Sequence, residues 1–360
     1  MRHPHGLRAA AGGGGGVFTD DLAVGLNASP FVSVYRFSTS SGFGTKYANP
    51  ATLPPALCQD VAFSSAGTDI AVATNDSPYI HVYPWTTELG FGTKYANPAT
   101  LPGGTGRGVA FSPAGNAIAV AHTTSPFITA YPWTTGSGFG TKYADPATLP
   151  GISLAQKVSF HPSGASIGVV SGTFGSPFIF VYPWTVGSGF GTKYANPATL
   201  PGNSGTFGQA SGLDFSSSGN DLAVGSNGTP FIQIYPWSNA TGFGTKYADP
   251  ATLPTQNIGP VKFAPNDLNV ACGGGDGVLT YPWSSGTGFG TKHSNPSGFT
   301  DVVNGIAFNA DGLSVALATN TSPYIYAYRF TTGAGFGVKY ANPATLPPAD
   351  AYSVAFLPVS

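Results

Sequence analysis

The chain has 360 residues, a formal net charge of −1, 41% hydrophobic and 13% aromatic residues, and only 8% charged residues. That apolar content supplies a sizeable core and excludes wholesale disorder, while the scarcity of basic groups excludes a phosphate-neutralising nucleic-acid binder. Cys58 and Cys272, the two cysteines, fall at non-equivalent places in the sequence and suggest neither a disulfide framework nor a metal cluster.

Residues 1–16, MRHPHGLRAAAGGGGG, lack the apolar stretch of about 7–15 residues that a secretory signal needs. They read as a flexible Gly-rich leader, with residues 17–360 as a single domain. No run of about 18 apolar residues occurs, so no membrane insertion is expected. Beyond the leader the chain repeats itself. GFGTKYANPATLP stands at 138–150, and variants begin at Gly42, Gly90, Gly189, Gly242, Gly288 and Gly335, spaced by 48, 48, 51, 53, 46 and 47 residues.

Each interval holds the same pieces in the same order. After GFGTKYA (90–96) come the connector NPATLP, VAFS (109–112), the turn PAGN, IAVAH (118–122), the loop TTSP and FITAYPW (127–133). Short β-branched and aromatic runs between Gly, Pro, Asn and Ser turns predict four antiparallel strands, A (VAFS), B (IAVAH), C (FITAYPW) and D (GFGTKYA). Runs such as IAVA are apolar on both faces, so each small sheet must be covered twice, which predicts sheets stacked around an axis.

The chain ends test that reading. The first strands, DLAVG (21–25) and FVSVYRF (31–37), are of types B and C, and the last, in AYSVAFLP (351–358), is of type A. Seven complete sets arise only if the final strand joins the first sheet. The expected fold is therefore all-β: a seven-bladed β-propeller of four-stranded antiparallel blades, closed by the C-terminal strand completing the first blade.

VAFSPAGNAIAVAHTTSPFITAYPW resembles the WD-repeat family, and the resemblance recurs through residues 18–360. It departs from that family where Pro132-Trp133 and its equivalents replace Trp-Asp, and the Gly-His pair is missing, so the family's Asp-His network is not implied. The GFGTKYANPATLP copies also resemble repeats in propeller proteins of tailed bacteriophages. That second resemblance implies a virion component, a tail or fibre protein.

Strand D should form the rim, its lysines (Lys46, Lys94, Lys142, Lys193, Lys246, Lys292 and Lys339) guarding unpaired edges while the aromatics pack inward. Function is then expected where copies differ, on the face carrying the D–A and B–C loops. Candidate partner contacts there are Phe174, Phe207, Gln209, Arg107, Asp76 and Asp276. Arg36 and Arg329, which replace the usual proline of strand C in blades one and seven, form a candidate docking point.

No catalytic, cofactor-binding or metal-ligating set is evident. His81, His122 and His161 occupy three different strand types and read as tolerated substitutions, and the carboxylates show no paired arrangement. The expectation is a non-enzymatic binding or structural module located in the virion, its partners other virion proteins or a host-surface molecule. The alternatives are a bacterial surface or secreted adhesion propeller, or an enzyme with its site at the central channel. An enzyme would need a convergent polar cluster on the variable face, which the sequence does not reveal.

Overall fold

The computed structural model describes residues 20–150, 154–172, 177–202 and 210–358. The expected leader, residues 1–16, lies outside them. The described residues form seven four-stranded antiparallel sheets, each ordered A-B-C-D from the axis outward. The inner A strands are Ala351–Phe356, Cys58–Phe63, Gly106–Phe111, Ala155–Phe160, Ala210–Phe215, Ile258–Phe263 and Val303–Phe308, for blades one to seven. Each packs beside the next in turn and the last returns to the first, closing a ring. Blade one is completed across the chain: Ala351–Phe356 pairs with Asp20–Leu26, Val24 opposite Val354.

The core lies between blades, as continuously apolar strands require. Every B strand is buried along its whole length, Asp69–Thr74 and Ala117–His122 among them. Trp85, Trp133, Trp184, Trp237 and Trp283 each meet a tyrosine or phenylalanine edge to face, as in Trp133 with Tyr95, Phe111 and Phe139 at 4.9, 5.6 and 5.1 Å. Such pairs add about 0.5–1.5 kcal/mol beyond the area they bury.

The invariant stretch binds one blade to its neighbour. At the start of strand B, Asp69 accepts the Tyr95 hydroxyl at 2.7 Å on one oxygen and the Trp133 indole N–H at 3.2 Å on the other. Asp21 does the same with Tyr47 (2.8 Å) and Trp85 (3.0 Å), and Asp221 with Tyr247 (2.8 Å) and Trp283 (3.2 Å). The tyrosine of strand C secures the connector: Tyr83, Tyr131, Tyr182, Tyr235 and Tyr281 donate to the carbonyls of Thr52, Thr100, Thr148, Thr199 and Thr252.

The rim departs from expectation in extent. Strand D has two residues in five blades, Gly90–Phe91 for example, and five only in blades one and seven, Gly42–Lys46 and Gly335–Lys339. The residue facing it on strand C decides this. Proline has no N–H to extend the ladder, whereas Arg36 and Arg329 supply one. The lysines are also tied down: Lys94 donates to the Tyr95 carbonyl and to Asn97, and Lys193 to the Tyr194 carbonyl and Asn196. Burial holds the amines of Lys46, Lys94 and Lys193 below their usual range.

Candidate functional site

The inner strands share an irregularity that sets up the site. Cys58 pairs with Thr74 and Asp60 with Ala73, so Gln59 has no partner and bulges out. The same slip occurs at Arg107, Gln156, Ser211, Asn304 and Tyr352, and across Gly259 and Pro260 in blade six. A β-bulge re-aims a side chain and is frequent beside active sites. Here seven bulges at one level turn the second residue of each inner strand to the mouth of the axial channel. The resulting cavity measures 360 Å³, and the bulge residues line it together with Lys157 and Asn257.

Arg107 is the exceptional group of this mouth. Its Nε is buried and has no acceptor among the described residues. Burial draws the guanidinium below its usual range, the nearby Tyr352 phenol opposing that shift. Gln59 is steadied by Asn75 (Nε2 to Oδ1, 2.8 Å) and Asn304 by the Ala351 carbonyl (3.0 Å).

Beneath the mouth, Asp60 gathers four blades. One oxygen faces Lys157 Nζ at 2.6 Å and accepts the Ser353 hydroxyl at 2.7 Å, and the other accepts the Val109 N–H at 3.1 Å. Asp214 repeats the arrangement across blades five and six with Lys262 (2.6 Å) and the Phe263 N–H (2.9 Å). Burial pulls the Lys262 amine down, but the Asp214 carboxylate outweighs it and holds the amine above its ordinary value. Asp60, Lys157 and Lys262 line a 310 Å³ cavity along the axis. Since Lys157 is neutralised by Asp60, Arg107 gives the mouth its net positive charge.

The residues singled out from sequence fall in separate places. Phe174, Phe207 and Gln209 lie outside the described residues. Arg107 is at the mouth. Asp276, in the B–C turn of blade six, accepts Thr255 Oγ1 at 2.6 Å and the backbone N–H groups of Thr255 and Gln256. Slight burial raises its carboxyl, but those donors outweigh it and hold the group below the usual range. Asp76 is exposed in the B–C loop of blade two, its carbonyl accepting the Tyr79 N–H at 2.8 Å. Arg36 and Arg329 lie at the other end of their blades, over the rings of Tyr47 and Tyr340 at 5.2 and 5.3 Å, and Arg329 Nη2 reaches the Ser40 carbonyl across the seam at 2.8 Å.

The histidines are internal. His122 Nε2 pairs with Thr129 Oγ1 at 2.9 Å, and His161 with Ser163 and the Gly219 carbonyl at 2.7 and 2.9 Å. Among the described residues no group of three or more His, Cys, Asp or Glu could hold a metal ion.

No family model matches the chain, and no curated protein matches it in sequence. Solved structures do match in shape. A candidate 6-phosphogluconolactonase from Bacteroides fragilis superposes with a TM-score of 0.74 at 14% identity, over 94% of this chain and 97% of that one. The periplasmic gluconolactonase PpgL of Pseudomonas aeruginosa gives 0.72 at 14%, over 95% and 99%. The propeller domain of Cps50 (Swd1) from Myceliophteria thermophila gives 0.60 at 12%, over 84% and 90%.

At such identities the likeness establishes the seven-bladed propeller fold. It lends nothing to the resemblance with phage propellers. The expectation of a non-enzymatic module is corrected: the similar propellers include proteins named as lactonases, and the mouth gathers polar residues that the sequence does not show together. The bulge residues stand roughly one repeat apart, so no local stretch of sequence shows them as a cluster. The sequence carries the signal in the second column of the inner strands, where QDVAF, RGVAF, QKVSF, SGLDF, GPVKF, NGIAF and YSVAF vary at their first residue.

Proposed function

We propose that the chain is a hydrolase of small sugar lactones, with its site at the channel mouth on the face carrying the D–A and B–C loops. The observation that carries this reading is the ring of seven bulges, which converges amides, a phenol, a hydroxyl and a guanidinium whose buried Nε has no partner among the described residues on one cavity. The lactonase names among the structural neighbours favour this chemistry over other reactions at a polar funnel.

Hydrolysis adds water across the acyl C–O bond: hydroxyl goes to the carbonyl carbon, a proton to the ring oxygen, and a hydroxy acid results. Charge develops on the carbonyl oxygen as water attacks. Arg107 and the Lys157 ammonium, the latter held by Asp60, are the donors able to stabilise it. The amides of Gln59, Gln156, Asn257 and Asn304 suit the sugar hydroxyls, each offering a donor and an acceptor.

The test is proton release from glucono-δ-lactone and from its 6-phosphorylated form, corrected for spontaneous opening. The wild-type chain should show saturable hydrolysis, and Arg107→Ala should lower kcat/KM by about a hundredfold or more. No rate above the spontaneous one with either lactone, from protein of native circular dichroism, overturns the reading.

A further inference from the structure

The mouth is open on one side. Between blades five and six it runs on into a trough of 460 Å³ lined by Asn227, Phe231, Thr255, Gln256, Asn257 and Gly275. Asn227, Asn257 and Gly275 line the mouth as well, so the two spaces are continuous.

A local departure in sequence creates the trough. Blade five joins its B and C strands, Asp221–Ser226 and Ile232–Ser238, through SNGTPF, as other blades do. Blade six has GGDG, and its strands pair to the very turn, Gly274 opposite Gly277. Where a longer loop would stand there is open space. The carboxylate of Asp276 at that turn clamps Thr255 and Gln256, fixing the connector that forms the trough's outer wall. A Cβ at Gly275 would come within 2.2 Å of Gln256 Oε1, so a larger residue there would push that amide aside.

Among the described residues the lining has no charged side chain. It includes three amides, one hydroxyl and a half-buried phenylalanine ring. Amides bond neighbouring hydroxyls in pairs, and an aromatic ring, whose face is negative, suits the C–H side of a sugar ring. We propose that the trough is a second subsite, for a neutral sugar ring joined to the one at the mouth, and that the chain acts on lactones of disaccharide acids in preference to those of single sugars. Gln256 is then a specificity-determining residue and Asp276 a positioning residue. The proposal rests on the hydrolase reading for its location, and its chemistry can be tested separately.

Two measurements do so: hydrolysis of a disaccharide δ-lactone against glucono-δ-lactone, and binding of the neutral disaccharides cellobiose and maltose followed by NMR. The disaccharide lactone should show a KM about tenfold lower. Gln256→Ala should shrink that ratio by about fivefold, as loss of paired hydrogen bonds implies, and Asp276→Ala should do likewise, with Asp276→Asn restoring part. Equal KM values with no disaccharide binding overturn the subsite while leaving the hydrolase. Disaccharide binding weakened by Gln256→Ala, without hydrolysis of either lactone, supports the subsite and removes the hydrolase. Neither binding nor hydrolysis removes both.

Discussion

The strength of the ring is set at single positions at the start of strand B. Blade three has Ala117 where Asp21, Asp69 and Asp221 stand elsewhere, and Trp184 Nε1, which would have bonded that carboxylate, is buried without an acceptor. An orphaned buried donor costs about 1–3 kcal/mol. Ala117→Asn should supply the acceptor without burying a charge and raise Tm by about 2 °C in a calorimetric melt. The Asp-Tyr-Trp contact also has a pH signature. Burial raises the Asp21 carboxyl to about 6, with the Tyr47 and Trp85 donors opposing it. A raised carboxyl contributes stability that is present below its ordinary pKa of 3.8 and lost as pH climbs through 6. His81 works oppositely: burial, helped by the charge of Lys94, lowers its ring to about 4, so its contribution is present above 6.5 and lost as pH falls towards 4. Melts from pH 4 to 7 should show a shallower acid-side fall for His81→Leu, the residue at the equivalent place in blade six being Leu279. Asp21→Asn should flatten the decline on the other side.

At the scale of the strand, two backbone devices divide structure from function. The bulge at the start of each inner strand turns a side chain into the mouth, and the proline near the end of strand C cuts the rim strand to two residues. Edge protection is then needed mainly where proline is absent, in blades one and seven. Replacing only Lys46 and Lys339 with threonine should raise self-association in sedimentation velocity almost as much as replacing all seven rim lysines. The other five changes alone should leave the protein monomeric. Lys339 is the sharper case. Among the described residues it has no connector partner like Asn97 or Asn196, and it rests over the Tyr326 ring at 4.6 Å, beside Val338, which is 74% exposed.

For the whole molecule, the period of about 50 residues and the type A strand at the C-terminal end made blade number and closure readable, because turns and apolar runs are local signals. The mouth was not readable by the same means. A bulge is an event of register between two strands, and Gln59, Lys157, Asn304 and Tyr352 become neighbours only when the ring shuts. Arg107, singled out through loop variation, lies at the mouth because of a bulge that the sequence does not display. Removing residues 351–358 should strip blade one of its inner strand, with Tyr352 of the mouth and Ser353 of the axial cavity, producing aggregation or a large loss of Tm, followed by light scattering and circular dichroism. Closure has a further consequence. The Leu357 N–H donates to the Asp21 carbonyl at 2.8 Å, so the first and last strands of the ring end side by side. A covalent link there would turn the chain into a circle, and cutting that circle at any NPATLP connector would give a permuted chain with a different first blade and the same molecule.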